Sequence, residues 1–272
     1  MGIKYKDIIN SMFLSVFRSN TERILKKKMQ DFKKNFIFED DLTKHYAHLE
    51  LNEIASLNVL KGFIIDRINF IEENIGLECI NNESFIDIGD PDGIFIKAFG
   101  KKGYSANISE IGVKNIREKG IESILCDAES IPLKDNSIDN ILFFEIFEHL
   151  PNPIIGLKEL HKICGKRLIL SIPHMSKTNI HRYNYCPEWF LPEHHIFEFD
   201  EEDFRKIVTH SGFKVEKMET YTVIGGGTIK ERIVFLLWNL LRLIIKDPEY
   251  SKNRKDVYYG CFKKFDVYLL KK

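Results

Sequence analysis

Two periodicities divide this chain. Through about residue 80, apolar positions recur every three to four residues: Ile8, Ile9, Met12, Phe13 and Val16, then Leu57, Leu60, Ile64, Ile68, Ile71 and Ile75. That spacing predicts helices and no sheet. From Ser84 the pattern changes to short apolar runs separated by helix-length segments, the mark of βαβ units. The runs predict strands at 84–89, 104–108, 122–126, 139–145 and 167–172. Helices are expected between them at 93–101, 109–119 and 153–164, with a short turn or helix near 128–133. Asp200 and Gly212 bracket a further helix as cap and stop, and Phe213 to Val223 reads as a sixth strand. Gly225-Gly226-Gly227 then breaks the chain. An amphipathic helix is expected over 229–246 and a last strand over 265–270. A strand pair after five βα units points to an antiparallel hairpin added to one edge of a mostly parallel sheet.

Composition narrows the function classes. The 272 residues are 44% hydrophobic and 29% charged, as in a globular chain rather than a disordered one. Lys plus Arg is 40 and Asp plus Glu is 40, so no global field favours nucleic acid or acidic lipid. The five cysteines are scattered without a CxxC pair, which points to neither a disulfide framework nor a cysteine zinc site. The start of the chain shows no secretory h-region, and the apolar stretch Ile233 to Ile245 is interrupted by Asn239 and Arg242 and too short to span a bilayer. A cytoplasmic location with reduced thiols is expected.

The chemistry concentrates between Ser84 and Asn152, where four strand ends carry residues able to bind a ligand. In an open α/β sheet such ends share one crevice. The first turn is Asp87-Ile88-Gly89-Asp90-Pro91-Asp92-Gly93. Gly89 and Gly93 permit a tight turn and close ligand approach. Pro91 removes one of the N–H groups that a pyrophosphate needs, and three carboxylates would repel it. The turn therefore favours a ligand carrying positive charge over NAD or ATP.

The same stretch resembles class I S-adenosylmethionine-dependent methyltransferases, in the branch acting on small molecules. FIDIGDPDG resembles the family's first motif, NISE the end of its second strand, and CDAESIPLKDNSIDNILFFEIFEHLPNP its third and fourth motifs. HHIFEFDEEDFRKIVTHSGFKV resembles the segment leading into the sixth strand, so the likeness spans about residues 84–224. It implies a Rossmann-like α/β fold with a seven-stranded sheet. A domain over 81–272 is expected, with insertions at 175–199 and 225–264 and a helical cap over 1–80 read from its spacing; the likeness covers neither 1–80 nor 225–264. The implied cofactor is S-adenosylmethionine. Asp87, Gly89, Asp90 and Gly93 would face its methionyl end, Asn107 and Ile108 its ribose side, Asp127 and Ala128 its adenine, and Phe144 and Glu145 the crevice below the sulfonium. Two positions depart from the family pattern: Pro91 replaces a usual glycine, and Asn107 replaces a usual acid.

Methyl transfer asks the protein mainly for alignment and exclusion of water, with a base only if the acceptor must lose a proton. His149, after the fourth strand, and His174, after the fifth, are candidate bases, and His181, His194 and His195 lie in the insertion beside the expected pocket; of these, His149, His181 and His195 are taken as the catalytic set. Each has a plainer use: His149 can cap or pack the next helix, and the aromatics Tyr183, Tyr185, Trp189 and Phe190 can form a small core instead of an acceptor pocket. The histidine spacing matches no metal pattern, so no metal is expected. The expected partner is a small-molecule substrate, not nucleic acid. Peripheral membrane contact through 229–246 and homo-oligomerisation stay open. Three rivals remain at this point. One is a non-catalytic binding or regulatory protein on a degenerate methyltransferase fold. The others are a nucleotide-dependent oxidoreductase and a macromolecule methyltransferase. The last is disfavoured because the fourth strand ends in FFEI, not in the tetrapeptide that seats a planar amine.

Overall fold

The computed structural model describes residues 22–38, 54–99, 103–174, 199–224 and 263–272, with single positions at 19, 196, 197, 229, 233 and 237. Seven strands form one sheet: β1 Phe85–Ile88, β2 Tyr104–Asn107, β3 Glu122–Leu125, β4 Ile138–Phe144, β5 Cys164–Pro173, β6 Lys214–Ile224 and β7 Lys263–Lys271. The helices are α1 over 22–31, α2 Ile54–Ile75, α3 Leu77–Asn82, α4 Ile94–Ala98, α5 Glu110–Glu118, α6 Pro153–Ile163 and α7 Glu201–His210.

The sheet order is β3-β2-β1-β4-β5-β7-β6. Parallel ladders join β1 to both β2 and β4, β2 to β3, and β4 to β5, whereas β7 runs antiparallel to β5. This is the seven-stranded, mostly parallel Rossmann-like sheet expected from the sequence. Strand order reverses between β1 and β4, so their carboxyl ends diverge and open a crevice there.

Local chemistry explains the elements. β1 is buried at every position, as a strand covered on both faces must be. Ser109 caps α5 by accepting from Gly112 N, and Asp200 caps α7 by accepting from Asp203 N. Pro153 opens α6, where its missing N–H costs nothing. The core beneath the sheet joins Ile86, Ile88, Phe143, Leu157, Leu160, Leu168, Phe204 and Tyr268.

The short turn or helix expected near 128–133 is a turn: Ser130 N donates to Asp127 O and the pair closes as an isolated bridge. One local expectation needs correction. β5 begins at Cys164, directly after α6, where a start at 167 was expected. Cys164 pairs with Ile138, and that early pairing extends the strand through a polar stretch that periodicity alone leaves as loop.

By compactness the chain falls into two units. One comprises Met1–Lys33, Leu51–Ile65 and Tyr221–Lys264; the other comprises Lys34–Glu50, Asp66–Thr220 and Phe265–Lys272. In the first, a side chain at Gly62 would collide with Leu25 Cδ2 at 2.5 Å, so the glycine lets α1 lie close to α2. In the second, Lys34 Nζ donates to Ala98 O at 2.7 Å and pairs with Glu72 at 3.2 Å. The 175–195 part of the expected insertion lies outside the described residues. So does most of 225–262, of which Ile229, Ile233 and Leu237 are helical and exposed. No helix among the described residues is long and apolar enough to cross a membrane.

Candidate active site

The crevice is built first by the turn after β1. Asp87, the third residue of that strand, is 1% exposed. Burial, then the neighbouring Asp90 carboxyl, hold its acid group well above the ordinary carboxylate range, and the Arg67 guanidinium opposes them more weakly. Its Oδ2 atom is buried without a hydrogen-bond partner. Gly89 follows at φ 98°, and a Cβ there would stand 1.9 Å from Ile146 Cδ1. Both the left-handed backbone and the lack of space require glycine.

The three carboxylates of this turn do different jobs. Asp90 accepts from Asp92 N at 3.0 Å and from Ile94 N at 2.6 Å, so it fills the anion position at the start of α4. Asp92 pairs with Lys119 at 2.9 Å. From the sequence alone, three carboxylates are expected to repel a phosphate. The geometry changes the reason: Asp90 already occupies the N–H groups a phosphate would use, and Asp92 is neutralised.

Asn107, at the end of β2, ties the turn to the next helix. Its Nδ2 donates to Gly89 O at 3.1 Å, and its Oδ1 accepts from Ser109 N at 2.8 Å. One amide hydrogen and one lone pair remain for a ligand. Ile108 beside it is 72% exposed, a large apolar side chain left open at the mouth. Across β2, Asp127 is exposed at the end of β3 and accepts from Glu129 N at 2.9 Å, with Ala128 buried next to it.

The far wall comes from β4. The Phe144 ring lies 4.7 Å from that of Phe95 and 5.2 Å from the Arg67 guanidinium. Glu145 turns at φ 52°, an uncommon conformation for a side-chain-bearing residue. Its N donates to Ser171 O at 3.0 Å, and its Oε1 accepts from Ser171 Oγ at 2.8 Å and pairs with Arg67 Nη2 at 3.0 Å. Two hydrogen bonds with Ser171 on β5 and the ion pair with Arg67 on α2 thus hold Glu145 in this uncommon conformation where β4 leaves the sheet.

A family model described as a methyltransferase domain matches residues 59–218. The chain belongs to the methyltransferase domain family. Solved structures agree on the fold. BH2331 from Bacillus halodurans C-125, described as a candidate methyltransferase, aligns with a TM-score of 0.50 and 18% identity over 72% of this chain and 97% of its own. YcgJ from Bacillus subtilis aligns with a TM-score of 0.51 and 14% identity over 76% and 97%. A candidate sarcosine dimethylglycine methyltransferase from Galdieria sulphuraria aligns with a TM-score of 0.50 and 14% identity over 93% and 98%. No curated protein matches the chain in sequence.

Within this methyltransferase domain, the structure brings Asp87, Gly89, Asp90 and Gly93 together after β1, and Phe144 and Glu145 after the adjacent β4. Asn107 and Ile108 follow β2, and Asp127 and Ala128 follow β3, farther along the same edge. His149 lies in the turn Phe147–His149, its Nε2 3.9 Å from Glu148 Oε1, too long for a hydrogen bond. His181 and His195 lie outside the described residues. Sequence reasoning missed Arg67, Ser171, Asp266 and Thr220. One signal for Arg67 was available: Asp66-Arg67 interrupts the otherwise apolar GFIIDRINFI, so a charge pair had to enter a buried helix. The other three carry no local mark. No group of metal-ligating side chains forms among the described residues.

Proposed function

We propose that this methyltransferase moves a methyl group from S-adenosylmethionine to a small-molecule acceptor in the cytoplasm. The observation that supports the reading best is the Asp87 carboxyl: buried, its Oδ2 unpartnered, at the carboxyl end of β1 where the strand order reverses. A buried acid with an open acceptor atom calls for a cationic hydrogen-bond donor, and the α-ammonium of a methionyl group is one. The glycine turn beside it leaves room for close approach, and Asp90 keeps phosphate away.

The residues fit such a donor. Asp87 would hold the ammonium. The free hydrogen and lone pair of Asn107 would meet the ribose, with Ile108 covering the adenine and Asp127 reaching its amino group. When bound, S-adenosylmethionine supplies an activated methyl group. Phe144 and Glu145 wall the space beneath it, and Arg67 keeps the Glu145 carboxylate neutralised and fixed.

Calorimetric titration with S-adenosylhomocysteine tests it. Binding is expected in the micromolar range or tighter. Absence of binding would overturn it and favour the non-catalytic alternative, for which Pro91 and the engaged side chain of Asn107 speak.

A further inference from the structure

We propose that His174 takes a proton from the methyl acceptor, with Asp266 and Thr220 as its positioning residues. The proposal rests on the methyltransferase reading above and narrows the acceptor to one whose attacking atom carries a weakly acidic proton, a hydroxyl or a thiol.

β5 ends at Pro173, so His174 is the first residue beyond the sheet's carboxyl edge. Ser171 pairs with Phe144, which places His174 three residues, about 10 Å of extended chain, past the level of the β4 wall. The antiparallel β7 returns beside it, with Ile172 opposite Asp266. His174 Nδ1 lies 2.9 and 2.8 Å from the two carboxylate oxygens of Asp266. Asp266 is 2% exposed and also accepts from Thr220 Oγ1 at 2.6 Å. A carboxylate only accepts, so Nδ1 carries the hydrogen, and in the neutral ring Nε2 then holds the lone pair. The His174 side chain is about a quarter exposed.

A structural pin needs none of this. β5 and β7 are already joined from Arg167↔Lys271 to Pro173↔Phe265. Among the described residues, charged groups on the neighbouring elements include Asp266 on β7, Glu219 on β6, Glu145 after β4, and Arg67 on α2, whose guanidinium lies 4.8 Å over the Phe265 ring.

In the step, the acceptor's O–H or S–H bond breaks and its proton goes to Nε2. The electron pair left on that atom forms the bond to the methyl carbon. The methyl–sulfur bond breaks with its pair passing to sulfur, and the imidazolium later yields its proton to water.

The test uses the full chain with nitrogen-15 histidine and saturating S-adenosylhomocysteine, at about pH 8 where free imidazole is neutral. The His174 signals, assigned by their loss in His174→Gln, are expected to show the Nδ1–H tautomer. Asp266→Asn should shift them to Nε2–H. Diethyl pyrocarbonate should acylate His174 Nε2, mapped by mass spectrometry, several-fold more slowly in Asp266→Asn; Thr220→Val serves as the milder variant if Asp266→Asn does not fold. S-Adenosylhomocysteine affinity should stay unchanged in His174→Gln. An Nε2–H tautomer in the wild-type chain, or an Nε2 inert to the reagent, overturns the proposal. Failure of the wild-type chain to bind S-adenosylhomocysteine instead overturns the methyltransferase reading and leaves the tautomer result to be judged alone.

Discussion

Replacing Asp87 with asparagine should make the protein more stable and a poorer binder. The shape of the side chain is kept and its charge is lost. In the folded chain, burial and then Asp90 raise the Asp87 acid well above its ordinary value of 3.8. The folded state therefore holds a proton that the unfolded chain releases as pH rises from about 4. Below that window both states are protonated and the group contributes nothing. Above it, stability falls until the folded carboxyl ionises. Asp87→Asn removes this penalty, so its thermal midpoint should exceed that of the wild type at pH 7–8 and match it near pH 3. Ligand binding should change the opposite way. The variant loses a charge-assisted hydrogen bond of about 1.5–3 kcal/mol, roughly ten- to a hundredfold in affinity for S-adenosylhomocysteine. The wild-type acid must also give up a proton to pair with the ammonium. Its binding enthalpy should vary with the ionisation enthalpy of the buffer, at up to about one proton per ligand, and that of the variant should not. Paired melting and calorimetry measure all three effects. Equal affinity with a buffer-independent enthalpy in the wild type, or a variant less stable than the wild type at pH 8, would refute the argument.

Asn107→Asp keeps the acceptor for Ser109 N but sets a carboxylate against Gly89 O in place of a donor; urea unfolding should show a loss of about 1–3 kcal/mol, and an unchanged midpoint would mean that the bridge is not formed. Arg67→Met should cost about 3 kcal/mol, the low end for breaking a buried pair, because Glu145 keeps some access to water. Glu145→Gln in the same chain should restore part of that loss, and a double-mutant cycle with no coupling would dismiss the pair. At the opposite edge of the sheet, burial works to raise the Glu83 acid, but hydrogen bonds from Asn140, Lys166 and Arg167 outweigh it and the group is lowered below its ordinary value. Its contribution is present above that value and fades as pH falls through the lowered one, so Glu83→Gln should flatten the acid limb of a stability–pH curve; an unaltered limb would show the cluster to be inert.

Much of this protein was decided along the chain itself. Strand and helix positions follow from local signals: apolar runs, the glycines at 89 and 93, the caps at Ser109 and Asp200, and the proline at 153. These act over a few residues, and the resemblance around FIDIGDPDG and FFEIFEHLPNP lies in the same short windows. The candidate residues after β1 and β4 were legible for that reason, because strand ends carry their own punctuation. Errors arose where the deciding contact was distant. β5 starts early because Cys164 finds a partner on β4. The site's electrostatics belong wholly to the tertiary structure. Asp87 reads as one acid among three until the fold buries it, turns Asp90 into a cap and sets Lys119 on Asp92. Glu145 reads as a crevice residue until α2 brings Arg67 to it. His174 and Asp266 stand 92 residues apart and meet only because β7 is inserted between β5 and β6. A local pattern can state which side chains a segment offers. Desolvation and Coulomb interaction depend on through-space distance, and that is set only when the sheet assembles.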